Sequence, residues 1–89
     1  MEFEYDPEKS AANREKYGID FAEAQEMWDG RRMVEASAIS RDEPRFMALA
    51  VHDGNVWAAV YKLRGDIVRL ISVGRAAKGE AEGYEQTSE

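Results

Sequence analysis

Apolar and polar residues alternate at the start of the chain. Met1, Phe3 and Tyr5 fall on one side and Glu2 and Glu4 on the other, which is the period of a strand. The run is short, as suits an edge strand. Asp6-Pro7-Glu8 then reads as a helix start: Asp6 can cap, Pro7 suits the first helical position, and Glu8 favours the positive helix end. A helix is expected from about Pro7 to Tyr17, stopped by Gly18. A second opens at Ile19-Asp20-Phe21, with Asp20 as cap and Glu23 at capping-box spacing. Its apolar stripe is Phe21, Ala24, Met27 and Trp28, and it should end near Asp29-Gly30.

Beyond Gly30 the period changes to two. Strands are expected at Met33 to Ile39, Arg45 to Val51, Val56 to Leu63 and Ile67 to Val73. Their connections are a polar turn at Arg41-Asp42-Glu43-Pro44, a hairpin loop at His52-Asp53-Gly54-Asn55 and a turn at Arg64-Gly65-Asp66. Residues 75–86 could add a short helix, although Gly79 and Gly83 each weaken it by ~1 kcal/mol relative to Ala. Residues 86–89 read as a frayed tail. The element order β-α-α-β-β-β-β gives an α+β class: two N-terminal helices packed on one face of an antiparallel sheet of four to five strands, the other face partly open. The 89 residues read as a single domain with one small core.

Charge sharpens this picture. The chain carries a net charge of -6, but unevenly. Residues 1–30 hold 9 acids and 3 bases, residues 31–78 hold 5 acids and 9 bases, and residues 79–89 hold 4 acids and no base. A positive middle on an acidic chain points to a local anion site rather than general affinity for polyanions. There is no cysteine, which excludes disulfides and thiolate metal sites and fits a reducing cytoplasm. The acidic N-terminus lacks the basic and apolar regions of a secretory signal, and no apolar run approaches the ~20 residues of a spanning helix, so no membrane role is expected.

The bases concentrate on the last two strands, at Lys62, Arg64, Arg69 and Arg75, followed by Lys78. Counting along the last strand puts Ile67, Arg69, Ile71 and Val73 on one face and Val68, Leu70, Ser72 and Gly74 on the other. Both faces are largely apolar, as in an inner strand, and Arg69 interrupts one of them. A guanidinium cannot be neutralised there, so it needs an acidic partner or a solvated anion-binding edge. Arg64 and Arg75, at the two ends of the strand, are each explained singly as solvated charges; together with Arg69 they suggest a site for a phosphodiester. Arginine supplies charge stabilisation by bidentate hydrogen bonds, and a base is still required for a 2′-hydroxyl.

Candidate proton carriers are few. His52 is the lone histidine and the default base by pKa type, but its polar loop explains it better as a turn residue. Tyr17, Tyr61 and Tyr84 could exchange protons, although packing is the usual role of tyrosine in a small core. No glycine-rich phosphate loop, nucleophile elbow or His/Cys metal spacing occurs, so no cofactor or metal is expected.

Two blocks resemble a known family. Tyr5-Asp6-Pro7-Glu8-Lys9 with Asn13, Lys16-Tyr17-Gly18-Ile19, Phe21 and Ala24 resembles the BrnT toxin signature W-D-P-x-K-x-x-x-N-x-x-K-H-G-[IV]-x-F-x-x-A. Val60-Tyr61-Lys62-Leu63-Arg64-Gly65-Asp66-Ile67-Val68-Arg69-Leu70-Ile71-Ser72-Val73-Gly74-Arg75-Ala76 resembles its second signature, V-Y-T-x-R-G-x-x-I-R-I-I-S-A-R-x-A. The resemblance implies a toxin of a type II toxin–antitoxin module with a RelE-like fold. It would cleave RNA without metal to inhibit translation. It would pair with a BrnA-like antitoxin, through which alone DNA would be reached. By motif match, Arg64, Arg69 and Arg75 fall on the family's basic positions, and Lys9, Asn13 and Lys16 on its first-helix positions. The expected catalytic set is Arg64, Arg69, Arg75, Tyr17, Tyr61 and His52, and the expected RNA-binding set is Lys9, Lys16, Lys62 and Lys78. Tyr17 stands where the family's histidine is usual, and an acidic tail replaces a helix that is often basic. The alternative is therefore a catalytically weakened or inactive BrnT-like module that binds an antitoxin without cutting RNA.

Overall fold

The computed structural model describes residues 2–28, 34–38 and 44–77. Its elements run β1 (Glu2–Glu4), α1 (Pro7–Tyr17), α2 (Phe21–Ala24) continued by a 3₁₀ turn (Gln25–Trp28), β2 (Val34–Ala38), β3 (Arg45–His52), β4 (Asn55–Arg64) and β5 (Ile67–Arg75). The expected α+β class is observed. The ends of the strand expected at 33–39, the turn at 41–43, the helix end at 29–30 and everything from Lys78 onward, including the expected final helix and tail, lie outside the described residues.

The local chemistry that starts both helices and stops α1 is the chemistry in the sequence. Asp6 accepts a hydrogen bond from the Glu8 amide at 2.9 Å, and Pro7 occupies the first turn, where an N–H would have no helical partner. Gly18 ends α1 in the left-handed region at φ +86, its amide donating to the Arg14 carbonyl at 2.8 Å. Asp20 then caps α2 by accepting from the Glu23 amide at 2.8 Å. In the β3–β4 hairpin His52 pairs with Asn55, so the connection is only Asp53-Gly54, both at positive φ (54 and 81) as a primed turn requires.

The five strands lie in the order β1-β5-β4-β3-β2. Pairing is antiparallel from β2 to β5, but β1 runs parallel to β5, with Glu2, Phe3 and Glu4 opposite Ile67, Val68 and Arg69. The sheet is therefore mixed, which corrects the antiparallel expectation. Alternation reports which face a residue occupies; it carries no information on strand direction. The two helices form the long connection through which β1 leaves the sheet before the meander begins.

A bulge corrects the parity expected for β5. Tyr61 pairs with Leu70 and Val60 with Ser72, which leaves Ile71 as the extra residue. Val68, Leu70 and Val73 are in consequence all buried beneath the helices, and Val73 does not share the face of Arg69. The buried face of the sheet adds Ala48, Ala50, Trp57, Ala59 and Tyr61; from the helical layer come Ile19, Phe21, Ala24 and Met27. The buried alanines of β3, Ala48 and Ala50, lie on the strand against which the 3₁₀ turn packs. Edge-on contacts of Trp28 with Phe3 (5.3 Å) and Tyr61 (5.5 Å), and a stacked Phe46–Tyr61 pair (5.6 Å), close one side of this core.

Two polar residues are buried with this core: Ser10, whose Oγ accepts from the Phe21 amide at 2.9 Å, and Asn13. Asn13 is buried and its Nδ2 donates to the carbonyls of Ile19 and Val73, both at 2.8 Å, while its Oδ1 accepts from the Val73 amide at 3.2 Å. β1 pairs with β5 only from Ile67 to Arg69. Further along that edge, Asn13 takes both backbone groups of Val73, as a neighbouring strand would.

Candidate functional site

The face of the sheet that the described helices leave uncovered carries the charged cluster. Phe3 points to the helical layer, so its neighbours Glu2 and Glu4 stand on the opposite face, and the register sets Glu4 beside Arg69. Arg64 ends β4, and the tight Gly65-Asp66 turn sets Arg64 opposite Ile67 and so returns it to the same corner. Both guanidiniums meet the same oxygen: Arg64 Nη1 donates to Glu4 Oε2 at 2.7 Å and Arg69 Nη1 to the same atom at 3.0 Å. Arg64 is largely exposed, while Arg69 and Glu4 are about one-third exposed or less.

Glu4 is held below the ordinary carboxylate range. The Arg69 hydrogen bond is the main cause, with the charge and hydrogen bond of Arg64 and the charge of Arg69 acting the same way; partial burial acts against them. Of the two readings open for Arg69, an acidic partner and an anion site, the first is met by Glu4. The second is compatible with it. Each guanidinium has five donors in a planar fork, and two forks that already converge on one carboxylate oxygen suit a phosphate equally well. Lys62 pairs with Arg69 across the β4–β5 ladder and adds a third cation at this end of the sheet.

The remaining candidates lie elsewhere. Tyr61 is 3% exposed and faces the helical layer, the side opposite Arg69. His52 is also on the helical side, its side chain 14% exposed; its Nε2 lies 2.8 Å from Glu23 Oε2 and its Nδ1 3.6 Å from Glu26 Oε1. The carbonyl of His52 accepts from Trp57 Nε1 at 3.0 Å, so this residue ties the hairpin to α2 and the 3₁₀ turn. Arg75 follows the bulge and pairs with Trp57, its guanidinium 5.8 Å from the indole centroid. It lies six residues along β5 from Arg69, about 20 Å at strand rise. Thus Arg64 and Arg69 come together and Arg75 does not join them.

Tyr17 belongs to the Arg75 end. It is 43% exposed and lies against Gly74, with ring atoms 3.8 Å from where a Cβ would stand, and Lys16 Nζ is 5.3 Å from its ring centroid. This second basic and aromatic corner also fits single-stranded RNA: cations for the backbone and an exposed ring for a base. Lys9 is exposed on α1. Lys78 lies outside the described residues.

Two residues escaped the sequence reading. Glu4 was visible only as a member of an alternating pair, because its role depends on partners 60 and 65 positions away. Asn13 was visible as a first-helix position of the family signature, without the strand edge that it covers. Among the described residues, no group of three or more His, Asp or Glu is placed to hold a metal ion, and no helix is long and apolar enough to cross a membrane.

The family model described as "Ribonuclease toxin, BrnT, of type II toxin-antitoxin system" matches residues 5–80, most of the chain. No curated protein matches the sequence.

Proposed function

The chain belongs to the BrnT family of type II toxin–antitoxin ribonuclease toxins, and on that premise we propose that it cleaves RNA without a metal ion through a site centred on Arg64 and Arg69. The family implies an RNA target and an antitoxin partner. The observation that carries the reading is the convergence of the two guanidiniums on one anionic oxygen, at 2.7 and 3.0 Å. Attack of a ribose 2′-oxygen on phosphorus concentrates negative charge on the equatorial oxygens. Two preorganised guanidiniums on a sheet stabilise that charge without moving at the moment of reaction, and loss of one such donor typically costs ~10²–10³ in rate.

Around that centre, Lys62 steers the backbone, and Arg75, Lys16 and Tyr17 at the far end of β5 hold a neighbouring stretch of RNA, with Lys9 and Lys78 as further phosphate contacts. Tyr61 supports the site from within the core, and His52 fixes the β3–β4 hairpin. The net charge of -6 limits non-specific RNA affinity, so substrate selection falls to these local contacts. The fold is RelE-like, with helices on one face and the reacting phosphate on the other; residues 1–89 form one toxin domain acting in the cytoplasm to block translation. A BrnA-like antitoxin covers the open face and links the complex to DNA.

A second reading is favoured by one observation. Glu4 occupies both guanidiniums in the free chain, as expected if the protein retained antitoxin binding but had lost cleavage. Inducible expression with and without the antitoxin separates the two. Growth arrest with RNA fragmentation, relieved by the antitoxin, supports the ribonuclease; arrest-free expression of folded protein supports the binding module.

A further inference from the structure

The site described so far lacks a group to take the proton from the 2′-hydroxyl. Among the described residues, the expected proton carriers do not reach it: Tyr61 and His52 are on the helical side of the sheet, and Tyr17 is at the opposite end of β5. The group that does reach it is a carboxylate. We infer that Glu4 is a catalytic residue, the general base for RNA cleavage beside Arg64 and Arg69. The inference rests on the ribonuclease reading above and adds a residue to it.

Position comes first. A phosphate held between Arg64 and Arg69 necessarily lies against Glu4, since the same two Nη1 atoms contact Glu4 Oε2. Each guanidinium retains its other N–H groups for the phosphate. The 2′-oxygen sits on the carbon next to the one that bears the 3′-phosphate oxygen, so in the inferred complex that hydroxyl lies on the same side as the carboxylate. A base must also be ionised before it can act, as a carboxylate is at neutral pH; the two arginines secure that form and in doing so weaken Glu4 as a base.

The step balances without a further cofactor. Glu4 takes the 2′-hydroxyl proton, the 2′-oxygen forms a bond to phosphorus, and the bond from phosphorus to the 5′-oxygen breaks. The departing 5′-oxygen takes a proton from water. The products are a 2′,3′-cyclic phosphate and a 5′-hydroxyl end, with no net redox change. The carboxylic acid left on Glu4 returns its proton to solvent, which its pair of arginines favours.

The test compares wild-type protein with Glu4→Gln, which keeps the size and hydrogen-bonding reach of the side chain but cannot serve as a base. The probes are a single-stranded RNA and its 2′-deoxy counterpart, which can bind but not react. Glu4→Gln should lower kcat by ~10²–10⁴-fold with little change in KM, and should bind the deoxy strand within about threefold of wild type. The wild-type rate should fall on acidification as Glu4 protonates, and the variant should lose that dependence. Glu4→Asp, which retains a carboxylate, should cleave at a reduced rate and keep the acid limb; it gives the same comparison should Glu4→Gln fold poorly. Cleavage by Glu4→Gln at or above the wild-type rate overturns the inference alone and makes Glu4 a counter-ion that RNA displaces. A folded wild-type protein that cuts no RNA overturns the ribonuclease reading and this inference with it.

Discussion

Asn13 joins α1, the α1–α2 connection and β5, and its replacement by alanine tests how the sheet edge is held. The side chain satisfies three backbone groups: the Ile19 carbonyl, the Val73 carbonyl and the Val73 amide, at 2.8, 2.8 and 3.2 Å. All three bonds are buried, and Asn13 itself is 7% exposed. A buried backbone group left without a partner costs about 1–3 kcal/mol. The three costs do not add in full, because water can enter the vacated space, so a loss of about 3–5 kcal/mol is expected. For a chain of 89 residues, total stability is on the order of 4–13 kcal/mol, which makes this loss a large share. Urea unfolding followed by circular dichroism should show a much lower midpoint at an unchanged slope. Asn13→Asp should do no better than alanine: it retains an acceptor for the Val73 amide but sets a carboxylate against two carbonyl oxygens. A loss below about 1 kcal/mol for Asn13→Ala would refute the reasoning and mean that the edge of β5 is held by other contacts.

Three further predictions follow from the same geometry. Glu4 has a lowered folded-state pKa, so its ionised form contributes stability in full above the ordinary carboxylate value and loses it as the pH falls through the lowered one. The stability difference between wild type and Glu4→Gln, measured in urea, should therefore shrink between about pH 7 and pH 3, and a difference that grows on acidification contradicts the Arg–Glu cluster. Gly18→Ala forces a side chain into the left-handed cap at φ +86 and should cost about 1–2 kcal/mol in the same assay; an unchanged midpoint would mean that α1 ends differently. Antitoxin binding over the open face should weaken with added salt, because Lys62, Arg64 and Arg69 lie there; titration calorimetry showing a salt-independent dissociation constant would place the partner elsewhere.

Helix limits and turns were legible because each is written in a few adjacent residues. Asp6-Pro7, Gly18 and Asp20 act within four positions of themselves, and Asp53-Gly54 sets the β3–β4 hairpin alone. The neighbours of β1 were not legible: alternation assigned Glu4 to a face, but the parallel pairing with β5 joins opposite ends of the sequence. Nor was the bulge at Ile71, since Val68, Leu70, Ile71 and Val73 are apolar at both parities and leave no polar mark where the count slips. That slip turns Arg75 to the face opposite Arg69, and six residues of strand set it about 20 Å further along. The sequence therefore presented three arginines as one group, and the folded chain separates them into a pair on the open face and a single residue against Trp57. Arg69 itself was readable as a charge in need of a partner, because guanidinium cannot shed its proton; the identity of the partner required the register.

The most direct measurement is cleavage of single-stranded RNA by the purified protein in the presence of a metal chelator, comparing wild type with Arg69→Ala. Wild type should produce fragments ending in a 2′,3′-cyclic phosphate, and Arg69→Ala should be slower by ~10²–10³-fold while remaining folded and bound by the antitoxin. A folded Arg69→Ala protein that cuts RNA at the wild-type rate would contradict the assignment of this sheet face as the reacting centre.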